Sequence, residues 1–302
     1  MSRIHDALKR AEQERASSLG THVEPSFEPS PDIPSATMPP LQGARRTGTG
    51  SPLPSDFSYE TLLARCPQTT WHPDPLTMLF FEDDERRAGA EEFRTLRSRL
   101  YQIREKMPLK RLLITSALPK EGKSFVAANL GQVLVRQHGR RVLLVDADLR
   151  NPGMHRHLGT EQTPGLSDYL LGECDEFAAL QRGPMENLFF LPAGRLVASA
   201  PELLANGRLK LLLQRVEPLF DWIILDSAPV VPVSDSTLVA NSCDGVLIVV
   251  RSNVTPSDLA RRAREEFPEK LLLGVVLNGA SREKHSHSKY YYGAAAGGQA
   301  GD

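Results

Sequence analysis

Cysteine, aromatic side chains, an excess of one charge and long apolar runs are all scarce in this sequence. Only three cysteines (Cys66, Cys174, Cys243) occur in 302 residues, far apart and without a CxxC pair. That excludes a disulfide framework or a cysteine-built metal site, and it fits a reducing compartment. The 36 Lys and Arg nearly cancel the 37 Asp and Glu, leaving a net charge of −1. No global basic field therefore points to nucleic acid. No apolar run approaches the roughly 20 residues that cross a bilayer; the longest, such as GVLIVV, has strand length. The opening residues are polar and charged, unlike a secretory leader. The expectation is a cytoplasmic protein without a direct membrane span, brought to the inner face of the membrane by a partner if it works there.

Composition changes along the chain. Residues 1–16 place Ile4, Leu8 and Ala11 on one helical face, which predicts a short amphipathic docking helix. Residues 17–75 hold eleven of the 23 prolines amid Ser, Thr and Gly. Such a segment buries too little apolar surface to offset its chain entropy, so a disordered tether is expected. Residues 76–280 read as globular. A helix is expected over Asp84–Lys106, with Phe93, Leu96, Leu100 and Ile103 as its apolar stripe. The runs RLLITS, RVLLVD, NLFFLP, WIILD, GVLIVV and LLLGVVL follow, most of them apolar on both faces. Strands of that kind belong in a buried parallel sheet, and their alternation with helices predicts a doubly wound α/β fold. Residues 281–302 form a polar, Gly- and Ala-rich flexible tail.

The sharpest motif is SALPKEGKS, Ser116–Ser124, between a strand and the helical stretch FVAANLGQVLVRQ, which Gly139 is placed to cap. Strand, loop and helix in that order are the context of a phosphate-binding P-loop. Backbone amides around Gly122 and Lys123 and the helix N-terminus are suited to phosphate oxygens. Ser116, Pro119, Lys120, Glu121, Gly122, Lys123, Ser124 and Phe125 are the candidate nucleotide contacts. Lys123 would reach the β- and γ-phosphates of ATP, and the Ser124 hydroxyl would ligand Mg²⁺. Ala117 stands where the strict pattern has glycine; a small residue serves that turn.

Two strands end in aspartate at their C-terminal tips, where α/β sheets place ligands. In RVLLVDADLRNP, Asp146 and Asp148 are two residues apart and project to the same side of extended backbone. In DWIILDSAPVV, Asp226 occupies the position of a Walker B carboxylate. Beside a P-loop, Ser124, Asp146 and Asp226 are the candidate metal ligands, and Lys123, Asp146 and Asp148 the candidate catalytic groups.

These motifs together resemble the bacterial tyrosine kinases of capsule and exopolysaccharide synthesis, of the cytoplasmic CpsD/CapB type. Their loop has the form SxxPxEGK[ST], matched by Ser116, Pro119, Glu121, Gly122, Lys123 and Ser124. Their DxDxR strand end is matched by Asp146, Asp148 and Arg150, and their third motif by Asp226 and Pro229. EEFRTLR matches ExxRxxR through Glu91, Arg94 and Arg97. The resemblance covers roughly 85–292. It implies a protein-tyrosine kinase whose subunits form a ring through Glu91, Arg94 and Arg97. It also implies that Asp146 works at the metal and takes the proton of the incoming tyrosine. A separate membrane protein of the polysaccharide machinery would switch the enzyme on. ParA/MinD-type regulatory ATPases are the alternative; their signature lysine falls, on alignment through Gly122–Lys123, at Leu118.

Half of the six tyrosines, Tyr290, Tyr291 and Tyr292, lie together in the tail. Solvated tails are usually poor in aromatics, and substrate tyrosines would explain the cluster. At about 3.3 Å per residue, the ten or so residues before it reach on the order of 30 Å. His285 and His287 flank it without further ligands and read as part of a polar tail.

Overall fold

The computed structural model describes residues 58–81 and 88–280. The expected helix over 1–16, most of the proline-rich segment and the tyrosine tail lie outside the described residues.

All six expected strands form. They are β1 (Arg111–Ser116), β2 (Val142–Asp146), β4 (Leu188–Leu191), β5 (Trp222–Asp226), β6 (Gly245–Arg251) and β7 (Leu272–Asn278). A two-residue strand β3 (Gln181–Arg182) adds an antiparallel edge beside β4; every other pairing is parallel. The order is β3-β4-β2-β5-β1-β6-β7. The period-2 alternation of side chains divides the core in two. Leu112, Ile114, Leu144, Trp222 and Ile224 face one side, and Leu113, Leu143, Val145, Ile223 and Leu225 the other.

Connecting helices cover both faces. On the first lie α2 (Ala90–Arg104) and α3 (Lys123–Val135), where eleven of thirteen α3 residues are buried. Such a helix sits close to the sheet only where a residue is small. At Gly131 an added Cβ would lie 2.6 Å from Leu144, inside van der Waals contact. The stripe of α2 docks as expected, with Phe93 and Leu100 buried and Leu96 and Ile103 packed beside them. Tyr101 meets the edge of Trp222 at 5.6 Å between ring centres. The connections α4 (Met154–Leu158), α5 (Leu166–Leu171) and α6 (Glu176–Ala179) follow β2. Helices α7 (Ala200–Ala205) and α8 (Arg208–Val216) precede β5, α9 (Asp235–Ala240) follows it, and α10 (Ser257–Glu265) joins β6 to β7.

Three expectations are corrected. The tether does not run to residue 75: Tyr59–Arg65 is a helix, α1, capped by the Ser58 side chain accepting from the Thr61 amide. Leu62, Cys66 and Trp71 then bury themselves in the core. Proline richness averaged over the segment hides this short apolar stretch, whose partners are far away in sequence. The described helix α2 begins at Ala90 behind Gly89, not at Asp84; residues 84–87 lie outside the described residues. Helix α3 stops at Val135 with Arg136 as its cap, so Gly139 (φ 72°) serves the turn beyond rather than the cap itself.

Candidate active site

The tips of β1, β2 and β5 converge at one end of the sheet, as its strand order requires. The loop after β1 turns sharply, with Lys120 (φ 66°) and Gly122 (φ 96°) in left-handed conformation. Ser116 Oγ donates to the Leu118 carbonyl at 2.8 Å and holds the first bend. Glu121, expected among the nucleotide contacts, turns inward instead. Its buried carboxylate accepts from the Leu118 amide at 2.7 Å and from the Thr255 hydroxyl. Asn278 Nδ2 donates to the Glu121 carbonyl at 2.9 Å, and Arg251 Nη1 to that of Lys120 at 3.3 Å. The loop is thus fastened to the ends of β6 and β7. Asn278 and Thr255 carry no motif, and sequence reasoning missed them. Phe125 likewise presents its ring to Phe93, 5.8 Å between centres, so only its backbone amide remains a candidate phosphate contact.

Lys123, at the start of α3, lies 2.8 Å from Asp148 Oδ2 and 3.8 Å from Asp226 Oδ2. Burial pulls its pKa down, but the charges of Asp226 and Asp148 outweigh that and hold it above the ordinary lysine range. Ser124 Oγ donates to Asp226 Oδ2 at 2.5 Å, while Asp226 Oδ1 is buried without a hydrogen-bond partner. Asp146 and Asp226 are register neighbours on adjacent strands. Burial and the charge of Asp226 push Asp146 up to about 7. Burial pushes Asp226 up to about 6, against the pull of Lys123 and the Ser124 hydroxyl.

An unsatisfied carboxylate oxygen beside a serine hydroxyl is a donor set for a hard cation. Among the described residues no three His, Cys, Asp or Glu side chains gather around a metal position. Mg²⁺ needs no such cage, since it keeps several waters and takes substrate phosphates as ligands. Ser124 and Asp226 therefore fit it. Asp146, the other expected metal ligand, lies beside Asp226 and is held by backbone amides. Its oxygens accept from the amides of Asp148 (3.2 Å), Gly153 (3.1 Å) and Met154 (3.1 Å), which orders the turn into α4. Asp148 instead faces a cleft of about 190 Å³ beside Lys123. Arg150 borders that cleft and forms a two-point ion pair with buried Asp235, at 2.7 and 3.2 Å. Asp235 is a further residue without a motif to reveal it.

The tyrosine-protein kinase YwqD of Bacillus subtilis (strain 168) is 35% identical over 205 residues, covering 67% of this chain and 86% of YwqD. The chain belongs to the bacterial tyrosine-protein kinases. The kinase is also 33% identical over 228 residues to the succinoglycan biosynthesis transport protein ExoP of Rhizobium meliloti (strain 1021). It spans only 29% of ExoP's length. The solved kinase domain of Escherichia coli tyrosine kinase ETK superposes with TM-score 0.61 at 29% identity, over 67% of this chain and 79% of that one. A family model described as an AAA domain matches residues 120–257.

On α2 of the kinase, Glu91 pairs with Arg94 at 3.2 Å on the surface. Arg97, expected to face a neighbouring subunit, instead donates to the Val133 carbonyl of α3 at 3.1 Å. It satisfies one of the last-turn carbonyls a helix leaves unpaired. No described helix is long and apolar enough to cross a membrane.

Proposed function

We propose that this kinase transfers the γ-phosphoryl group of Mg·ATP to Tyr290, Tyr291 and Tyr292 of its own tail, and that this controls export or polymerisation of a polysaccharide. The observation that carries the reading is Lys123 held between Asp148 and Asp226, with Ser124 and the unsatisfied Asp226 oxygen next to it. When bound at Ser124 and Asp226, Mg²⁺ would neutralise charge on the phosphates. The amides of Gly122, Lys123 and Ser124 orient the triphosphate, and Lys123 supplies the compact positive charge the moving phosphoryl group requires. The Glu121–Thr255 brace keeps the loop in its binding shape before nucleotide arrives.

Polysaccharide control is drawn from ExoP, a succinoglycan biosynthesis transport protein by name. A membrane-bound co-polymerase is the proposed activator, and it would hold the kinase at the inner face of the membrane. A ring of subunits would place tails in neighbouring sites, with Glu91 and Arg94 on the contact face.

Incubation with γ-labelled ATP and mass mapping of the tail tests the reading. Label is expected on Tyr290–Tyr292, lost on Lys123→Met and on replacement of the three tyrosines by Phe, the latter sparing nucleotide binding. Label found only as released phosphate would overturn it.

A further inference from the structure

The two edges of the sheet are finished differently. At one, β3 is only two residues long, and Gln68 forms a parallel bridge to its Arg182. At the other, β7 pairs with β6 on one side and, among the described residues, with nothing on the other. Its sequence, LLGVVLN, contains no charge and no proline, the usual means of blunting an edge. Val275 and Leu277 are register neighbours of Ile248 and Val250 and extend that row on the face where Ile248 is core. Yet they are 57% and 58% exposed. Helix α10 buries Ala263 on that face and leaves them open. Val254, 65% exposed, follows β6 in a turn whose Ser252 amide donates to the Asn278 carbonyl at 2.8 Å. Seven large apolar side chains are exposed among the described residues, and three of them belong to this corner. An apolar patch beside an open strand edge marks a contact surface.

The chain itself supplies an occupant. The tail leaves β7 at Asn278–Gly279, where Gly279 is left-handed (φ 69°), a dipeptide suited to reversing the chain. Tyr290–Tyr292 follow after residues 279–289. At about 3.3 Å per residue that span covers on the order of 30 Å, whereas a return to Val275 needs only about 10 Å. Tyrosine favours strands, and aromatic rings pair well with β-branched side chains across them. Charge is no obstacle, because residues 257–270, α10 and the turn into β7, carry four acidic and four basic side chains. Tethering raises the local concentration of the rings to about the millimolar range. A contact too weak for a free peptide is therefore populated within one chain.

We infer that the open edge of β7, with Val275 and Leu277, is a docking site for Tyr290–Tyr292 of the same chain, which add to the sheet as a strand. The regulatory meaning rests on the tail-phosphorylating reading above. Rings held on β7 are withheld from any phosphate site, and phosphorylated rings, each with nearly two negative charges, do not return to an aliphatic surface. The docking itself does not depend on that reading.

Amide hydrogen exchange of the full chain without nucleotide tests it. The β7 amides that point away from β6 should exchange about tenfold or more slower than in a chain with Tyr290–Tyr292→Ala. Replacement of the three tyrosines by Phe should keep that protection and replacement by Glu should lose it, because rings make the contact and charge opposes it. Val275→Lys with Leu277→Lys, at exposed positions where folding is not at stake, should speed exchange in the tail around Tyr290–Tyr292. Protection should be the same at protein concentrations about tenfold apart, as a contact within one chain requires. Equal exchange in the native and Ala chains, or protection retained in the Glu chain, would overturn the proposal. Protection that grows with concentration would give the edge to a second copy and overturn it as well. Ring-dependent protection in a chain that never labels its tail would sink the kinase reading and leave the docking intact; a labelled tail without protection would do the reverse.

Discussion

Asp146 and Asp226 lie side by side at the tips of β2 and β5, fully buried, so folding forces two carboxylates together away from water. Each has a pKa raised above its unfolded value of 3.8, Asp146 to about 7 and Asp226 to about 6. The folded chain therefore binds more protons there than the unfolded chain does. Stability from this source is present below about pH 4 and is lost as pH rises toward 7. His155 and His157 have lowered values, caused first by burial, and they act in the opposite sense over part of that range. A single variant isolates the carboxylate. The stability of Asp146→Asn relative to wild type should rise between pH 4 and pH 8, by an amount on the order of a few kcal/mol, over a pH-independent cost for the backbone amides from which its side-chain nitrogen cannot accept. Thermal melts of the nucleotide-free protein measure it; a constant difference across that range would show that Asp146 is not strained by burial. Gly122 carries a second constraint. Its φ of 96° disfavours any side chain, and an added Cβ would lie 2.1 Å from Asn278 Nδ2. Gly122→Ala should weaken nucleotide binding by about tenfold or more, read by calorimetric titration. Asn278→Ala combined with it should restore only the steric part.

Elements in this fold differ in how openly the sequence declares them. The strands are legible because a parallel sheet covered on both faces needs apolar residues throughout, and RVLLVD or WIILD can be little else. Strand β3 is illegible: two residues, Gln181 and Arg182, pair only because β4 offers an edge. Helix α1 was hidden by its proline-rich neighbourhood and exists through distant partners, including the Tyr59 hydroxyl donating to Asn187 at 2.6 Å. The segment before α2 is similar. It lies along α3, where Asn129 Oδ1 accepts from the Leu79 amide at 2.8 Å and Asn129 Nδ2 donates to the Thr77 carbonyl at 2.8 Å. Gln132 Oε1 accepts from the Phe80 amide at 3.2 Å. Two buried amides on an otherwise apolar helix look like faults in its pattern until the strap is seen. Asn129→Ala would leave a buried amide and a carbonyl unpaired, and should cost about 2–3 kcal/mol. A urea denaturation midpoint that falls with its slope unchanged would record this; an unmoved midpoint would mean the strap adds nothing to folding.

For the whole molecule, the motif chemistry was readable and the supports behind it were not. Lys123 and Ser124 at the start of α3 and Asp148 and Asp226 at the strand ends are brought together as the motifs imply. Thr255, Asn278 and Asp235 come from elsewhere in the chain and hold that geometry without any local signature. The same division runs through ExxRxxR, where one motif serves two purposes. Arg97 is spent within the subunit on the Val133 carbonyl, whereas Glu91 and Arg94 form an exposed i, i+3 pair. An exposed pair of that kind stabilises a helix by only about 0.2–0.5 kcal/mol, so folding alone gives little reason for it. If assembly is its purpose, then Glu91→Ala with Arg94→Ala should leave the melting temperature within a degree or two, a shift on the scale of a surface pair. The same change should reduce the mass in solution, read by light scattering, to that of a single chain. Arg97→Met should behave in the reverse order, lowering stability first through the lost carbonyl partner. An oligomer that survives the double substitution would move the subunit contact off α2, and the route from tail to neighbouring site would have to be redrawn.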